Sequence, residues 1–587
     1  MKIVIVGGVA GGMSAAARAR RLSETAEIIV LERGQYPSFA NCGLPYFVGG
    51  EIEDQSKLLV QTPASLKASL NLDVRIGHEV TTVDTDARTV TATTAFGTET
   101  ISYDALILAP GASAFVPPVA GIDSARVTTL RTVDDALALR ESVISQQGAG
   151  TGTDSGAVTG EAGVGAGAED GSGAEAGPHN GQAVVIGAGF IGLEAAEALA
   201  IAGYKVSVVE LAPHVLPPAE LEVASQVRAE LERLGMDVYE GVSVTEVLPG
   251  EDADTVVLST GERIEAHSIV LSAGVRPATE FLASSGIELN RGAIVVNEHG
   301  QTSAPNVWAV GDATVSTDAV TGVRRPVMLA GPANRAGRLV ADHIFNPNSA
   351  RPIPSALGTA IVRVGELTAA MTGANTAALD AAGIEYDTLH LHPNNHAGYF
   401  PGAQQLHLTV HMRKRDGLLV GAQIVGKQGA DKRIDVLATA IRAGLTAPEL
   451  MDLDLAYAPP YGSAKDPVNF AGMAAENVLS GQLKLWYPQD YADFGSEVFV
   501  LDVRSAAEFA TGHLPSAINI PHVVLRENLD RVRELAAGRP IRVTCQSGVR
   551  SYIAHRILVN AGFDSASLSG GMITYKAVVG SSELTFE

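Results

Sequence analysis

The chain has little from which to build disulfides, a basic surface or a membrane span. It contains only two cysteines, Cys42 and Cys545, which are too few for a disulfide framework. Aromatic residues make up 5%, and 42 Lys and Arg face 65 Asp and Glu, giving a net charge of -23. This balance argues against nucleic acid or an anionic membrane as a partner, because both require a basic face. No run of about 18 uncharged apolar residues occurs, and no signal peptide is recognised, so a cytoplasmic protein is expected.

The composition otherwise predicts a folded protein of several domains. Hydrophobic residues make up 46% and charged residues 18%, as in globular proteins, and 587 residues are too many for one core. Residues 146–181 differ from the rest, since they consist mainly of Gly, Ala, Ser, Thr and acidic residues. We predict that this segment is a disordered insertion, because it has almost nothing large to bury.

Two segments have the strand, glycine turn and helix pattern of a dinucleotide site. Each is followed by a second strand ending in an acid, Glu32 or Glu210. The glycines let backbone N–H groups approach a pyrophosphate, and each acid can accept from a ribose hydroxyl. The first turn is less regular, because Val9 stands where the second glycine is expected. The turn residues assigned to cofactor binding are Gly7, Gly8, Ala10, Gly11 and Gly12 in the first segment and Gly187, Gly189 and Gly192 in the second.

Two acids bear on which cofactors bind. The Glu210 carboxylate would repel a 2′-phosphate, so NADH is preferred and NADPH is left open. Asp312 follows Gly311 at the end of a strand, where an aspartate either caps a helix or binds a polyol chain. The two dinucleotide patterns favour the second interpretation.

Cys42 lies in the segment Ser38–Tyr46, ten residues after the strand that ends at Glu32. A lone cysteine is usually a buried, inert thiol. Asn41, Gly43 and Pro45 favour a turn instead, and the carboxyl ends of parallel strands form the ligand crevice, so we predict a reactive thiol. Nearby, Arg18 and Arg21 share one helix face. They either form a solvated surface or hold substrate phosphates near Cys42, and the sequence leaves both interpretations open.

Together these features resemble the flavoprotein pyridine nucleotide-disulfide reductases, over residues 1 to about 475 apart from the insertion. The resemblance implies FAD at the first glycine turn, NADH at the second, and binding of the flavin ribityl by Gly311 and Asp312. Members such as glutathione reductase have two cysteines in a C-x-x-x-x-C pattern, whereas this chain has Cys42 alone. That difference places it in the branch of NADH oxidases, NADH peroxidases and coenzyme A-disulfide reductases.

Within that branch, three segments are similar to the coenzyme A-disulfide reductases: Ser38–Tyr46, His396–Gly402 and Leu455–Pro467. In that family two tyrosines reach the cysteine of the partner subunit, and Tyr399 and Tyr457 match them. Without the family they would be ordinary packed tyrosines. The resemblance therefore implies an obligate homodimer with shared active sites. It assigns cofactor binding also to Arg33, Ser38, Asn41, Ala109, Gly111, Gly274, Ala330 and Ala333, and substrate binding to Arg18, Arg21, Ser38 and Asn41. No metal site is predicted.

From Glu497 onward the chain starts again with a strand, which is followed by Asp502-Val503-Arg504, by Gly512–Pro515 and by the segment Cys545–Ser551. Over about 90 residues this combination resembles a rhodanese domain. Cys545 ends a strand and precedes a short turn and a helix from about Tyr552. Backbone N–H groups and Arg550 are expected to converge on this cysteine, which would lower the pKa of its thiol and stabilise a persulfide. The alternative is a docking domain without catalysis, which is less favoured because such domains often lack the cysteine.

The expected fold is α/β, with two doubly wound dinucleotide-binding domains, an α+β dimerisation domain and an α/β rhodanese domain. Its predicted segments are 1–115 (FAD), 116–275 (NADH), 276–345 (FAD), 346–475 (dimerisation) and 488–587 (rhodanese). The expected activity is NADH- and FAD-dependent reduction of coenzyme A disulfide, coenzyme A persulfide or polysulfide through Cys42, with Cys545 relaying sulfane sulfur. The alternatives are an NADH oxidase or peroxidase with Cys42 as sulfenic acid, and a redox-sensing or sulfur-relay scaffold.

Overall fold

The structure is a computed structural model that describes residues 1–149 and 181–586. It divides into two compact units: Met1–Val215, Leu231–Ser316 and Arg325–Pro354 in the first, and Leu216–Glu230, Thr317–Arg324 and Ser355–Glu587 in the second. The predicted insertion, 146–181, lies outside the described residues except at its ends, where a helix runs to Ala149 and Gly181 precedes a strand. No helix in the described ranges is long and apolar enough to cross a bilayer.

The secondary structure combines strand–helix repeats with long runs of consecutive strands. Before residue 150 it comprises β1 (Lys2–Val6), α1 (Ala10–Leu22), β2 (Glu27–Glu32), α2 (Leu44–Val48), α3 (Pro63–Leu70), β3 (Asp73–Ile76), β4 (Glu79–Asp84), β5 (Thr89–Thr94), β6 (Gly97–Ser102), β7 (Ala105–Leu108), β8 (Ala112–Ala114), β9 (Val127–Thr129) and α4 (Val133–Ala149). Between residues 181 and 354 it comprises β10 (Gln182–Ile186), α5 (Phe190–Ile201), β11 (Lys205–Glu210), α6 (Leu221–Arg233), β12 (Asp237–Glu240), β13 (Val244–Leu248), β14 (Asp254–Leu258), β15 (Arg263–Ala266), β16 (Ser268–Leu271), β17 (Val275–Pro277), β18 (Leu289–Asn290), β19 (Ala293–Ile294), β20 (Val307–Ala309), β21 (Val315–Thr317), β22 (Arg324–Pro326) and α7 (Ala330–Phe345).

The remaining elements belong to the second unit. They are β23 (Ala360–Val364), β24 (Leu367–Gly373), α8 (Thr376–Ala381), β25 (Tyr386–Leu391), β26 (His407–Arg413), β27 (Leu419–Gly426), α9 (Ala430–Ala443), α10 (Pro467–Leu479), β28 (Leu485–Trp486), β29 (Phe499–Asp502), α11 (Ala506–Ala510), β30 (Ile518–Asn519), α12 (Leu529–Ala536), β31 (Ile541–Thr544), α13 (Val549–Asn560), β32 (Ser565–Leu568) and α14 (Gly571–Val578).

The first unit contains two parallel sheets of the same design. Their strand orders are β20-β7-β1-β2-β3 and β12-β11-β10-β16-β9. The central strands are continuous apolar runs, as expected for strands buried on both faces. In each sheet the first strand of the glycine pattern, β1 or β10, lies between two later parallel neighbours, so its carboxyl end is a topological switch point. The two predicted dinucleotide-binding folds are therefore confirmed.

The second unit contains an antiparallel sheet and a parallel sheet. The antiparallel sheet has the order β23-β24-β27-β26-β25 and shares a core with α9 and α10. The parallel sheet has the order β28-β32-β31-β29-β30. Its central strand β31 ends at Thr544, so Cys545 stands at the carboxyl edge of that sheet. The helix after Cys545 begins at Val549, three residues earlier than the sequence suggested.

Candidate active site

The first glycine turn is held by close backbone contacts and by Glu32. Gly7 has a φ of +97°, and a Cβ there would lie 2.0 Å from the carbonyl oxygen of Ala109. The buried carboxylate of Glu32 accepts from the N–H of Gly8 at 2.7 Å and from that of Gly34 at 2.8 Å. Since a carboxylate oxygen can accept more than one hydrogen bond, Glu32 can hold this loop and still accept from a ribose hydroxyl.

The second glycine turn repeats this arrangement. Gly187 has a φ of +101°, and the Glu210 carboxylate accepts from the N–H groups of Ala188 at 2.6 Å and Ala212 at 2.8 Å. A Cβ at Gly189 would meet no protein atom within 4 Å, so packing within the chain does not require glycine there. Close approach of a pyrophosphate to the backbone does require a glycine at position 189, and the turn therefore fits a dinucleotide.

Small residues bring α1 and α7 into backbone contact. A Cβ on Gly337 of α7 would lie 2.1 Å from the carbonyl oxygen of Gly11 in α1, and a Cβ on Gly11 would lie 3.5 Å from the carbonyl oxygen of Ala333. Ala330 is the first residue of α7. This contact brings the predicted cofactor residue Ala333 to the glycine turn.

Arg18 and Arg21 have different surroundings. Nε of Arg18 donates to the carboxylate of Asp342 in α7 at 2.6 Å, whereas Arg21 is exposed. The pairing gives Arg18 a structural role in joining α1 to α7. Binding of substrate phosphates by these two arginines stays a prediction.

Cys42 lies in a tight turn that is tied to the first glycine turn. The turn is the short 3₁₀ helix Asn41–Gly43, and Cys42 is an exposed free thiol. Ser38 adopts a left-handed φ of +53° and donates its N–H to the carbonyl of Gly8 at 2.7 Å. The cysteine therefore lies in a turn and not in a packed strand, and backbone contacts fix its approach to the switch point of the sheet.

Charged residues from distant parts of the first unit surround this thiol. Although the Cys42 residue is exposed, partial burial raises the pKa of its thiol, and the negative charge of Glu194 raises it further. The positive charge of Arg131 acts in the opposite direction. Glu194 lies on α5 and accepts a hydrogen bond from the hydroxyl of Tyr46 at 3.1 Å. Sequence analysis missed both charges, because spacing does not show which helix or loop faces Cys42.

Asp312 does not cap a helix but forms an ion pair with Arg131. Nη2 of Arg131 donates to its carboxylate at 2.8 Å, and Nε of Arg131 donates to the carbonyl of Ala112 at 3.1 Å. Gly311, with a φ of +83°, makes the turn before it. Binding of the flavin ribityl by Asp312 stays a prediction.

Replacing Glu194 by glutamine is expected to lower the pKa of the Cys42 thiol. The amide keeps the size of the side chain and can accept from Tyr46, but it removes the negative charge that opposes the thiolate. At a fixed pH below the thiol pKa, iodoacetamide should therefore alkylate Cys42 faster in Glu194→Gln than in the parent protein. The matched variant Arg131→Gln should slow alkylation. A shift of both rates in the same direction would contradict this electrostatic account.

Tyr399 and Tyr457 meet at the surface of the second unit. Their hydroxyl oxygens are 3.0 Å apart, and the residues are 77% and 48% exposed. The hydrogen bond to Tyr399 is the main cause that raises the pKa of Tyr457. The structure thus pairs two tyrosines that the sequence places in separate segments.

A buried ion pair holds the two loops that carry these tyrosines. Nη2 of Arg433 donates to the carbonyl of Asn395 at 2.7 Å and to the carboxylate of Asp466 at 2.8 Å. The N–H of Ala397 also donates to the carbonyl of Gly462 at 2.9 Å. Because a bidentate arginine restrains both partners, these contacts fix one loop against the other. Sequence analysis missed Arg433, which lies on α9 outside the similar segments.

Cys545 is fully buried at the carboxyl end of β31. The N–H of Gly548 donates to its sulfur at 3.2 Å, and the thiol lies 3.3 Å from Oγ of Ser551. Gly548 has a φ of +91° and precedes α13. One backbone N–H of the loop is thus directed at the sulfur, and the role of Cys545 as a persulfide carrier stays a prediction.

The hydrogen-bond partner of Arg550 is not the expected one. Arg550 was expected to converge on Cys545, but its two terminal nitrogens donate to the carboxylate of Glu508, at 2.8 and 2.6 Å. This fork lowers the pKa of Glu508 to about 2. The described hydrogen bonds of Arg550 therefore go to Glu508 and not to Cys545, and its contribution to catalysis stays a prediction.

Comparison with known proteins agrees with this geometry. The family model described as pyridine nucleotide-disulphide oxidoreductase matches residues 1–337, and the dimerisation domain of the same family matches residues 359–467. A rhodanese-like domain matches residues 489–577. The chain therefore belongs to the pyridine nucleotide-disulphide oxidoreductases, a family of enzymes that use FAD and a nicotinamide dinucleotide, and it carries a rhodanese-like domain.

Individual relatives are similar over nearly the whole chain. A coenzyme A disulfide reductase of Staphylococcus epidermidis is 32% identical over 478 residues, which cover 81% of this chain and 100% of that protein. The reduced CoADR-RHD of Bacillus anthracis is 38% identical with a TM-score of 0.90, covering 98% of each chain. A NAD-dependent persulfide reductase of A. fulgidus is 33% identical with a TM-score of 0.86, covering 98% of this chain and 100% of that one. These similarities confirm the resemblance recognised from the sequence.

Proposed function

We propose that this enzyme uses NADH to reduce coenzyme A disulfide and coenzyme A persulfide or polysulfide at Cys42, while Cys545 carries sulfane sulfur. The observation that carries the proposal is the placement of two free thiols with different surroundings. Cys42 is exposed beside the charges of Glu194 and Arg131, and Cys545 is buried with the N–H of Gly548 directed at its sulfur. One thiol is accessible for exchange with a disulfide, and the other suits a bound persulfide.

The residues around the first glycine turn would hold FAD, with Glu32 at the ribose and Asp312 at the ribityl. FAD supplies, when bound, a two-electron link between a nicotinamide and a disulfide. The chain's own contribution is to orient Cys42 and to adjust the pKa of its thiol. Arg131 favours the thiolate that attacks sulfur, and Glu194 opposes it.

The chemistry at Cys42 is thiol–disulfide exchange. With coenzyme A persulfide, the thiolate attacks the coenzyme A sulfur, the S–S bond breaks and hydrosulfide leaves, which forms a Cys42–coenzyme A mixed disulfide. Two electrons and one proton then restore the Cys42 thiolate and release coenzyme A. The overall reaction consumes one NADH and one proton and yields NAD⁺, coenzyme A and hydrogen sulfide.

The second dinucleotide site supports NADH as the electron donor. The Glu210 carboxylate is buried at the end of β11, where it is held by two backbone N–H groups. A 2′-phosphate at this position would face that negative charge. Turnover with NADH should therefore exceed turnover with NADPH.

The proposal is tested by comparing kcat/KM for coenzyme A disulfide, coenzyme A persulfide and polysulfide with NADH as donor. Release of thiol or sulfide in step with NADH oxidation supports it. Oxygen or peroxide consumption without thiol release would identify an NADH oxidase or peroxidase instead. Negligible turnover with every acceptor, together with tight binding of a protein partner, would favour a redox-sensing or sulfur-relay scaffold.

The exposed tyrosine pair supports a homodimer with shared active sites. Tyr399, Phe400, Tyr457 and Tyr461 together expose aromatic surface on the dimerisation domain. Such a patch favours coverage by a partner. In the proposed dimer the two hydroxyl groups, hydrogen-bonded to each other, would orient or protonate the thiolate that leaves the partner's substrate.

Replacing Tyr399 or Tyr457 by phenylalanine should lower kcat for coenzyme A disulfide reduction by about 10²-fold, the lower end of what a proton donor contributes. Each change removes one hydroxyl of the pair and keeps the ring. Steady-state kinetics with NADH measures the effect, and Tyr461→Phe, at an exposed tyrosine in the same segment, serves as the control. Equal kcat in all three variants would argue against a role for the pair.

A further inference from the structure

The loop that carries Cys545 packs against the turn at the start of α14. The N–H of Met572 donates to the carbonyl of Cys545 at 2.8 Å, and the N–H of Ile573 donates to the carbonyl of Gln546 at 3.0 Å. A Cβ on Gly571 would lie 2.5 Å from the carbonyl oxygen of Cys545. The backbone of this turn therefore sets the position of the two residues at the start of the loop.

The opposite side of the same turn contacts the dimerisation domain. Nδ1 of His390 lies 2.8 Å from Oγ of Ser569, and Nε2 of His392 lies 3.0 Å from Oγ1 of Thr574. A Cβ on Gly570 would lie 2.7 Å from Cβ of His390 and 2.9 Å from Nε2 of His392. Residues 569–574 are thus confined between the Cys545 loop on one side and two histidines on the other.

Glu222 and His407 contact the two histidines on the side away from the turn. Nε2 of His390 lies 3.0 Å from the carboxylate of Glu222, which also accepts from the hydroxyl of Thr409 at 2.9 Å. Nδ1 of His392 lies 2.9 Å from Nδ1 of His407. Burial lowers the pKa of His392 to about 3 and that of His407 to about 4, so both rings are neutral near pH 7. A neutral pair can form this bond because one nitrogen donates and the other accepts.

The cluster is too closely packed to be a ligand site. The cavity among Glu222, His390, His392, His407 and Thr574 has a volume of about 10 Å³. That is at the lower limit for one water molecule. The histidines therefore restrain residues 569–574 and do not bind a ligand.

We propose that His392, supported by His407, is a positioning residue for the sulfur carried on Cys545. It acts through Thr574 and the Gly570–Gly571 turn, whose far side fixes the loop carbonyls at Cys545 and Gln546. The inference rests on the proposed sulfur-carrying role of Cys545. It makes the rhodanese-like domain dependent on the dimerisation domain for the geometry of its own active loop.

Two amide substitutions that differ only in reach test the proposal. Glutamine can place a polar atom near the Nε2 position of histidine and so contact Thr574, whereas asparagine reaches only the Nδ1 position. In the full-length flavin-loaded protein, His392→Asn should lower kcat for sulfur transfer from thiosulfate to cyanide by about 10-fold with KM unchanged, since small displacements of reacting groups cost this much or more. His392→Gln should stay within about 3-fold of the parent. NADH-dependent reduction of coenzyme A disulfide should be unchanged in both.

Amide hydrogen exchange of the segment 570–578 provides a readout that does not require sulfur transfer. His392→Asn should exchange faster there than the parent and His392→Gln should not, because the N–H groups of Met572 and Ile573 are donors to the loop. Parent-like kinetics and exchange in both variants would overturn the positioning role, and equal losses in both would do the same. An inactive parent enzyme with the expected exchange difference would overturn only the sulfur-transfer function.

Discussion

Replacement of Cys42 by serine is expected to abolish NADH-dependent reduction of coenzyme A disulfide, by about 10³-fold or more, as when a covalent nucleophile is removed. A serine hydroxyl cannot form a mixed disulfide, and no other free thiol lies in the described part of the first unit. The visible absorbance of the purified variant should still show bound flavin, because Cys42 is exposed and supports no core packing.

The matched control for this variant is Cys545→Ser, which should retain disulfide reduction. Thiol release with NADH is the measurement, with flavin content determined in the same samples. A Cys42→Ser protein that still reduces coenzyme A disulfide would refute the role of Cys42. Loss of both flavin and activity would be resolved by Cys42→Ala, which must lose activity in a preparation that keeps flavin.

Replacement of Cys545 by serine is expected to eliminate sulfur transfer from thiosulfate or a persulfide while sparing disulfide reduction. Cys545 is the thiol whose sulfur accepts from the N–H of Gly548, and a hydroxyl in its place cannot form a persulfide. Because the residue is buried beside Ser551 and the core of the parallel sheet, serine keeps the size of the side chain with little change in packing.

Cyanide-dependent formation of thiocyanate measures this loss, and Cys42→Ser is the reciprocal control that should retain it. Unchanged sulfur transfer in Cys545→Ser would show that sulfane sulfur does not pass through the rhodanese-like domain. Loss of disulfide reduction in Cys545→Ser would mean that the two thiols act in one obligatory sequence.

The dinucleotide folds and the Cys42 turn could be predicted because their signals are local. Glycines at strand ends, an acid at the next strand end and Asn41, Gly43 and Pro45 around the thiol all constrain the backbone over a few residues. The charges that act on Cys42 could not be predicted this way. Glu194 and Arg131 belong to segments far from Cys42 in sequence, and only the folded unit brings them together.

The pairing of Arg550 with Glu508 could not be predicted for the same reason. The short cysteine loop suggested that a nearby arginine serves the sulfur, but the partner of Arg550 comes from another helix start. Ser505 and Glu508 form a capping box at α11, which holds the carboxylate where Arg550 reaches it. The capping pattern is visible in the sequence, yet its contact with α13 depends on tertiary packing.

The Gly570 turn limits how freely this enzyme's parts can be exchanged. A side chain there would collide with the histidines of the neighbouring domain as well as with Thr574 of its own helix. A rhodanese-like domain grafted from an unrelated protein would therefore have to fit this surface in shape and hydrogen bonding. The two domains are expected to change together during evolution.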